Sequence, residues 1–241
     1  MTVYPPLCVG YTDTSLYQKA SDLAIKLRGR VDNEVSPRLQ LTATGLALIM
    51  EPFTPLTADF SIKTWQARHD AGKNQGLIRA CKPRQGMTII DATAGWGRDA
   101  AILASFGAKV VMLERNPWMS ALLQDALERQ DSHSRQLLQL QLVIQDGLHY
   151  LNDLCPEDYP DLIYIDPMHP VREQAALVKK ELQALQKLLG PDSDAVTLLS
   201  LARTRTKQAV VVKWPQRLPP LDAPTRSIDG KTVRFDIYRT Y

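Results

Sequence analysis

The sequence is short of cysteine, histidine and long apolar runs, and each shortage removes a class of protein. Three cysteines, Cys8, Cys81 and Cys155, are far apart and odd in number. They form no CxxC pair and no Cys/His cluster, so neither a zinc site nor a disulfide framework is expected, and no metal. Reduced thiols in a cytoplasmic setting fit that usage. No uncharged stretch approaches the ~20 apolar residues of a membrane span. The segment MTVYPPLCVGY has no basic region followed by a long apolar run. A soluble, intracellular protein without a membrane partner is the expectation. Of the four histidines, His69, His133 and His149 form no ligand pair. An excess of one charge is missing too. The 29 basic and 26 acidic residues leave +3, which permits a nucleic-acid partner without requiring one.

What is present is enough apolar residue, 44% of 241, for one large domain or a domain with an appendage. Residues 1–62 read as a small N-terminal α+β unit. It has a strand within VYPPLCVGY, a helix over 15–27 with Leu16, Ala20, Leu23, Ala24 and Leu27 on one face, and short strands at 39–41 and 46–50. Residues 63–241 form the main domain, opening with a basic segment at 63–84 whose middle, with Gly72, Asn74 and Gly76, is irregular or bent. From 87 onward strand and helix signals alternate: strands at 87–91, 109–114, 140–144, 162–165, 209–213 and 233–238, and helices at 98–106, 117–129, 147–153, 173–189 and 193–203. Such alternation predicts an α/β fold with a doubly wound, mostly parallel sheet.

Two segments carry the chemistry. In IIDATAGWGRDA a strand ends at Asp91 and runs through Gly95 and Gly97 into a helix. Ligands in open α/β sheets bind at the carboxyl ends of strands, near the point where strand order reverses. Asp91 is placed to meet a ligand ammonium there, and the glycines let the backbone come close. Glu114 ends the next strand, where a carboxylate can accept both hydroxyls of a ribose. Arg115 follows, placed to lie over an adenine. Asp146 ends the third strand, placed to accept the adenine amino proton, with Gly147 leaving room beside it.

The second segment is LIYIDPMHP. Asp166, at the end of its strand, is held extended by Pro167. Its carboxylate and a nearby carbonyl can receive the hydrogens of one exocyclic amino group. That orients the nitrogen lone pair for in-line displacement at a sulfonium methyl, where alignment supplies much of the catalysis. His169 would flank a flat acceptor. Asp166, Pro167 and His169 are therefore the candidate catalytic residues.

DATAGWGRDA, MLERNP, DPMHP, ALVKKE, GPDSDA, VVVKWP and RFDIY, in this order, resemble the bacterial small-subunit ribosomal RNA guanine-N2 methyltransferase family over residues 87–239. The resemblance implies a class I methyltransferase fold, Rossmann-like, with S-adenosylmethionine as donor. It implies 16S rRNA in the small ribosomal subunit as partner and a guanine amine as acceptor. By motif, Arg98 and Asp99 would touch the donor from the glycine loop, Glu114 and Arg115 from the second strand, and Asp166 would face donor and acceptor alike. The family usually has small hydroxyl residues where Asp146 and Gly147 stand, and phenylalanine where His169 stands. The basic segment 63–84 then becomes a candidate RNA-phosphate track, with Lys179, Lys180, Arg203, Arg205, Lys207 and Lys213 as additions.

Other readings compete. The same chemistry could serve a DNA base, another RNA or a protein glutamine. Gly95-Trp96-Gly97-Arg98-Asp99-Ala100 also fits the GxGxxA pattern of a nicotinamide-dependent dehydrogenase. A non-catalytic RNA-binding protein that keeps a donor pocket is the fourth reading.

Overall fold

A computed structural model describes residues 6–168 and 194–240. The chain forms two compact units. The first contains β1 (Cys8–Tyr11), α1 (Tyr17–Lys26), β2 (Arg30–Val31), β3 (Arg38–Thr42) and β4 (Gly45–Ile49). Their sheet has the order β2-β1-β3-β4, with β1 parallel to β2 and β3, and β4 antiparallel to β3. Ala20 and Ala24 form the buried face of α1, as its periodicity predicts.

The second unit continues with α2 (Ile62–Asp70), α3 (Gly76–Cys81), β5 (Thr88–Asp91), α4 (Arg98–Ser105) and β6 (Lys109–Leu113). After α5 (Pro117–Glu128) come α6 (Ser132–Leu137), β7 (Gln139–Val143), α7 (Gly147–Asp153), β8 (Leu162–Ile165), α8 (Ala195–Arg203), β9 (Ala209–Pro215), β10 (Arg226–Asp229) and β11 (Val233–Arg239). The seven-stranded sheet has the order β10-β11-β9-β8-β5-β6-β7. The five strands from β9 to β7 are parallel, and β11 and β10 close one edge antiparallel. The doubly wound α/β expectation is met, and its physical basis is plain in β8. Every residue of LIYI is buried, as a parallel strand covered on both faces requires. Ile90, Leu113, Ile163, Ile165, Leu198, Val210, Val212 and Tyr238 join in one core.

Two divisions differ from the sequence reading. The first break falls after residue 59, and residues 116–130, including α5, belong with the first unit rather than with the strands that flank them in sequence. Asp125 on α5 accepts the Leu46 N–H of edge strand β4 at 3.0 Å and pairs with Arg129 at 2.7 Å, and Arg129 donates to the Ala58 carbonyl at 2.9 Å. The segment 63–84, expected to be irregular or bent in its middle, is broken there: α2 ends at Asp70, Gly72 has φ 56°, and α3 begins at Gly76. Its polar composition hides α2 because Trp65 is the buried residue of that helix. Trp65 donates to Ser134 at 3.0 Å, and Ile62 N–H to Asp131 at 2.9 Å. The helix expected at 173–189 lies outside the described residues. Among the described residues, no helix is long and apolar enough to cross a membrane.

Among the parallel strands, order reverses at one place. From β5 the chain adds β6 and β7 on one side, then returns to place β8 on the other. Ligands in open α/β sheets bind at such a switch point, outside the carboxyl ends of the strands. Here those ends carry Asp91 and Asp166.

Candidate functional site

After β5 the backbone turns sharply, and the turn needs its glycines. Gly95 has φ 55° and Gly97 φ 70°, a left-handed conformation that costs other L-residues about 1–2 kcal/mol. Gly97 is also the residue that opens α4. The loop is tied to the end of β6: Ala94 N–H reaches the Leu113 carbonyl at 3.1 Å, and Gly95 N–H reaches Glu114 Oε2 at 3.0 Å. Asp91 lies beneath this turn, 2% exposed, and accepts the Thr93 N–H at 3.2 Å. Burial pushes its pKa up to about 8. Asp99, Asp166 and Glu114 add to the rise, and the Thr93 N–H works against it.

Asp99, one residue into α4, faces inward. Its Oδ1 pairs with Arg68 Nη2 at 2.9 Å. Its Oδ2 receives the Tyr164 hydroxyl at 2.8 Å and Lys213 Nζ at 3.1 Å. Burial alone would raise its pKa, but Lys213, Arg68 and the Tyr164 hydroxyl outweigh burial and hold the carboxyl well below the usual range. Burial and the Asp99 charge push Tyr164 in the other direction, well above an ordinary phenol. Lys213 reaches on from Asp99 to Asp166 Oδ2 at 2.7 Å. Asp166 in turn donates its backbone N–H to Thr93 Oγ1 at 2.6 Å. The loop after β5 and the loop after β8 are therefore joined by a direct hydrogen bond and by a lysine bridge. Pro167 is buried.

At the ends of β6 and β7, Arg115 Nη1 bridges Asp146 Oδ2 at 3.0 Å and Asp194 Oδ2 at 2.7 Å. Asp146 also caps α7 through Oδ1, accepting from Leu148 N at 2.9 Å. Burial raises its pKa, but the Arg115 hydrogen bond and the cap more than offset that, leaving it lowered. Gly147 is tight rather than roomy. A Cβ there would stand 3.1 Å from the Ala92 carbonyl, so glycine lets α7 start against the end of β5.

The structure thus gathers Asp91, Gly95, Gly97, Arg98, Asp99, Glu114, Arg115, Asp146, Gly147 and Asp166 around the carboxyl ends of β5, β6, β7 and β8. His169 lies outside the described residues. Arg68, Tyr164, Lys213 and Asp194 join the site without having been picked out for it. Arg68 and Lys213 were expected to face RNA phosphate, and both are turned inward instead. One signal for Lys213 was available: it is the charged residue in AVVVKWP, an otherwise apolar strand ending beside the site. Arg203 pairs with Asp222 at 2.7 Å, and Arg205 donates to the Leu151 carbonyl at 3.1 Å. Lys179 and Lys180 lie outside the described residues.

At neutral pH the site sets the carboxylates Asp99, Glu114, Asp146, Asp166 and Asp194 against Arg68, Arg98, Arg115 and Lys213, and Asp91 is a further carboxyl that a bound cation can ionise. That suits a ligand bearing an ammonium and a sulfonium and repels a pyrophosphate. The Gly95 N–H, which a dinucleotide phosphate would need, is already given to Glu114. Among the described residues, no group of His, Cys, Asp and Glu is placed to hold a metal ion.

Comparison with known proteins agrees with this geometry. Residues 22–240 match a family of SAM-dependent methyltransferases. The chain is 54% identical over 230 residues to ribosomal RNA small subunit methyltransferase J of Legionella pneumophila (strain Philadelphia 1), covering 95% of both chains. It is 39% identical over 222 residues to the protein of that name from Cellvibrio japonicus, covering 83% of this chain and 82% of the other. The crystal structure of a SAM-dependent methyltransferase from Neisseria gonorrhoeae superposes with a TM-score of 0.73 at 26% identity, covering 97% of this chain and 96% of that one.

Proposed function

Since the chain belongs to the ribosomal RNA small subunit methyltransferase J family of S-adenosylmethionine-dependent methyltransferases, we propose that it methylates the exocyclic N2 of a guanine in small-subunit (16S) ribosomal RNA. The observation that carries this reading is the junction of the two loops. Asp166, at the end of β8, is held by Thr93 of the glycine loop and by Lys213. A carboxylate fixed beside the donor pocket is what an amine acceptor requires, because it receives an N–H and turns the nitrogen lone pair.

When bound, S-adenosylmethionine supplies a methyl group activated by a sulfonium. The residues that fit it are those of the carboxylate-rich strand ends. Asp91 would meet the ammonium, Glu114 would accept the ribose hydroxyls, and Arg115 with Asp146 would flank the adenine. Gly95 and Gly97 supply the left-handed backbone that turns the loop back over the strand ends. The family resemblance assigned Asp99 a donor contact as well. Its carboxylate is committed to Arg68, Tyr164 and Lys213, and its role in this reading is to anchor the site from below. Asp166 orients the acceptor; a strong base is not needed, because the amine sheds its proton after it has become positive. Pro167, buried after it, stiffens the acceptor loop.

Asp166→Ala separates binding from chemistry. Donor affinity by calorimetry should stay within a few-fold of wild type. Methyl transfer to small ribosomal subunits should fall by about two orders of magnitude, the scale of a lost positioning contact. Full activity in this variant would sink the assignment of Asp166 to the acceptor.

A further inference from the structure

Lys213 is an ammonium set among apolar neighbours, with 27% of its side chain exposed. Burial works to lower its pKa, but Asp99 and Asp166 outweigh it and raise the lysine above its ordinary value. It is charged, and it is pinned at two points, 3.1 Å from Asp99 Oδ2 and 2.7 Å from Asp166 Oδ2. Asp99 is in turn fixed by Arg68 at 2.9 Å and by the Tyr164 hydroxyl at 2.8 Å. A continuous chain therefore runs from Arg68 on α2, through Asp99 on α4 and Lys213 on β9, to Asp166 beyond β8.

A partly buried pair of this kind is a weak device for stability. Desolvating the charges offsets most of their attraction, and apolar substitutes of the same volume often do as well. An ammonium between two carboxylates is also poorly placed to attract phosphate. Its geometry does something else: it fixes one oxygen of Asp166 and so sets the plane of that carboxylate. Lysine is a point charge on a flexible stem, and Asp99 removes that flexibility.

We propose that Lys213 is a positioning residue, anchored on Asp99, that aims the Asp166 carboxylate at the acceptor amine. The inference rests on the reading above that Asp166 receives the acceptor N–H. The charged and titratable groups around this bridge come from every adjoining element. Asp99 and Arg68 stand on one side and Tyr164 on β8 between them. Asp91 on β5 lies close enough to Asp99 and Asp166 to be pushed up by them, after burial. Cys81 on α3 is pushed up by burial and then by Asp99 and Asp91.

The test needs a readout independent of methyl transfer. The side-chain carbon signal of Asp166, assigned by its loss in Asp166→Asn, is titrated by NMR in the donor-free protein. In Lys213→Met its midpoint should rise by about one to three pH units, the effect of losing an opposite charge at this distance. In Lys213→Arg, which keeps a cation, it should stay within half a unit. Where the methionine variant does not fold, Lys213→Gln gives the same comparison. In parallel, kcat on small subunits should drop roughly ten- to a hundredfold in Lys213→Met, with the acid limb of its pH profile moved to higher pH and donor affinity within threefold. Lys213→Arg should recover part of the rate. An Asp166 midpoint unchanged in Lys213→Met, or moved as far by arginine as by methionine, overturns the proposal. A wild-type protein that transfers no methyl group to the subunit overturns the reaction, and with it the aim of Asp166, while the titration still decides whether Lys213 holds that carboxylate.

Discussion

At the end of β5 a carboxyl lies almost out of water, and its proton depends on what binds beside it. Asp91 is 2% exposed with a pKa near 8, against ~3.9 for a free aspartate. The folded protein therefore holds a proton between about pH 4 and 8 that the unfolded chain has released. Stability from this group is present below pH 4 and is lost as pH rises through 8. Asp91→Asn should accordingly stabilise the donor-free protein at pH 9, on the order of a few kcal/mol, and much less at pH 5. Melting curves at the two pH values check it, and an equal effect at both contradicts it. A cationic donor should reverse the shift, so binding at pH 7 releases a proton. Calorimetry in two buffers of different ionisation heat reads that release directly. The strand-end acids Asp91, Glu114, Asp146 and Asp166 were legible because each follows an apolar run. Their partners were not. Lys213 and Asp99 are 114 positions apart, and nothing local in the sequence announces such a meeting.

Elements were legible where apolar spacing sets them and illegible where polar contacts do. The strands β5 to β9 and helices α4, α5, α7 and α8 follow their hydrophobic runs closely, whereas the short polar α6, SHSRQL, was not read from the sequence. Helix α2 does not follow such a run either, since Trp65 is its one buried residue and it is held by Ser134 of α6 and by Asp131, which caps α6. Asp131, accepting backbone N–H groups from Ser134 and Ile62, has its pKa lowered to about 2. The basic stretch therefore divides. Arg68 turns inward to Asp99, while Lys63, Arg79, Lys82 and Arg84 are exposed. These four are the proposed phosphate contacts. Changing all four to Gln should raise KM for small subunits by tenfold or more at moderate salt, leave donor affinity alone, and flatten the dependence of KM on salt. An unchanged salt slope would place the RNA on another surface.

For the whole molecule, the doubly wound sheet was legible because alternation of strand and helix has few compact solutions. The assignment of α5 to the first unit was not, because sequence adjacency places it between two strands of the other sheet. What identifies it is Asp125 reaching the edge strand β4. The central claim joins fold, site and family, and one measurement tests all three. The purified protein is incubated with methyl-labelled S-adenosylmethionine and small ribosomal subunits that lack their own guanine methylation. The RNA is then digested and the labelled nucleoside identified. We expect labelled N2-methylguanosine. Label on another base, on ribosomal protein, or nowhere while donor binding is confirmed, would contradict the account.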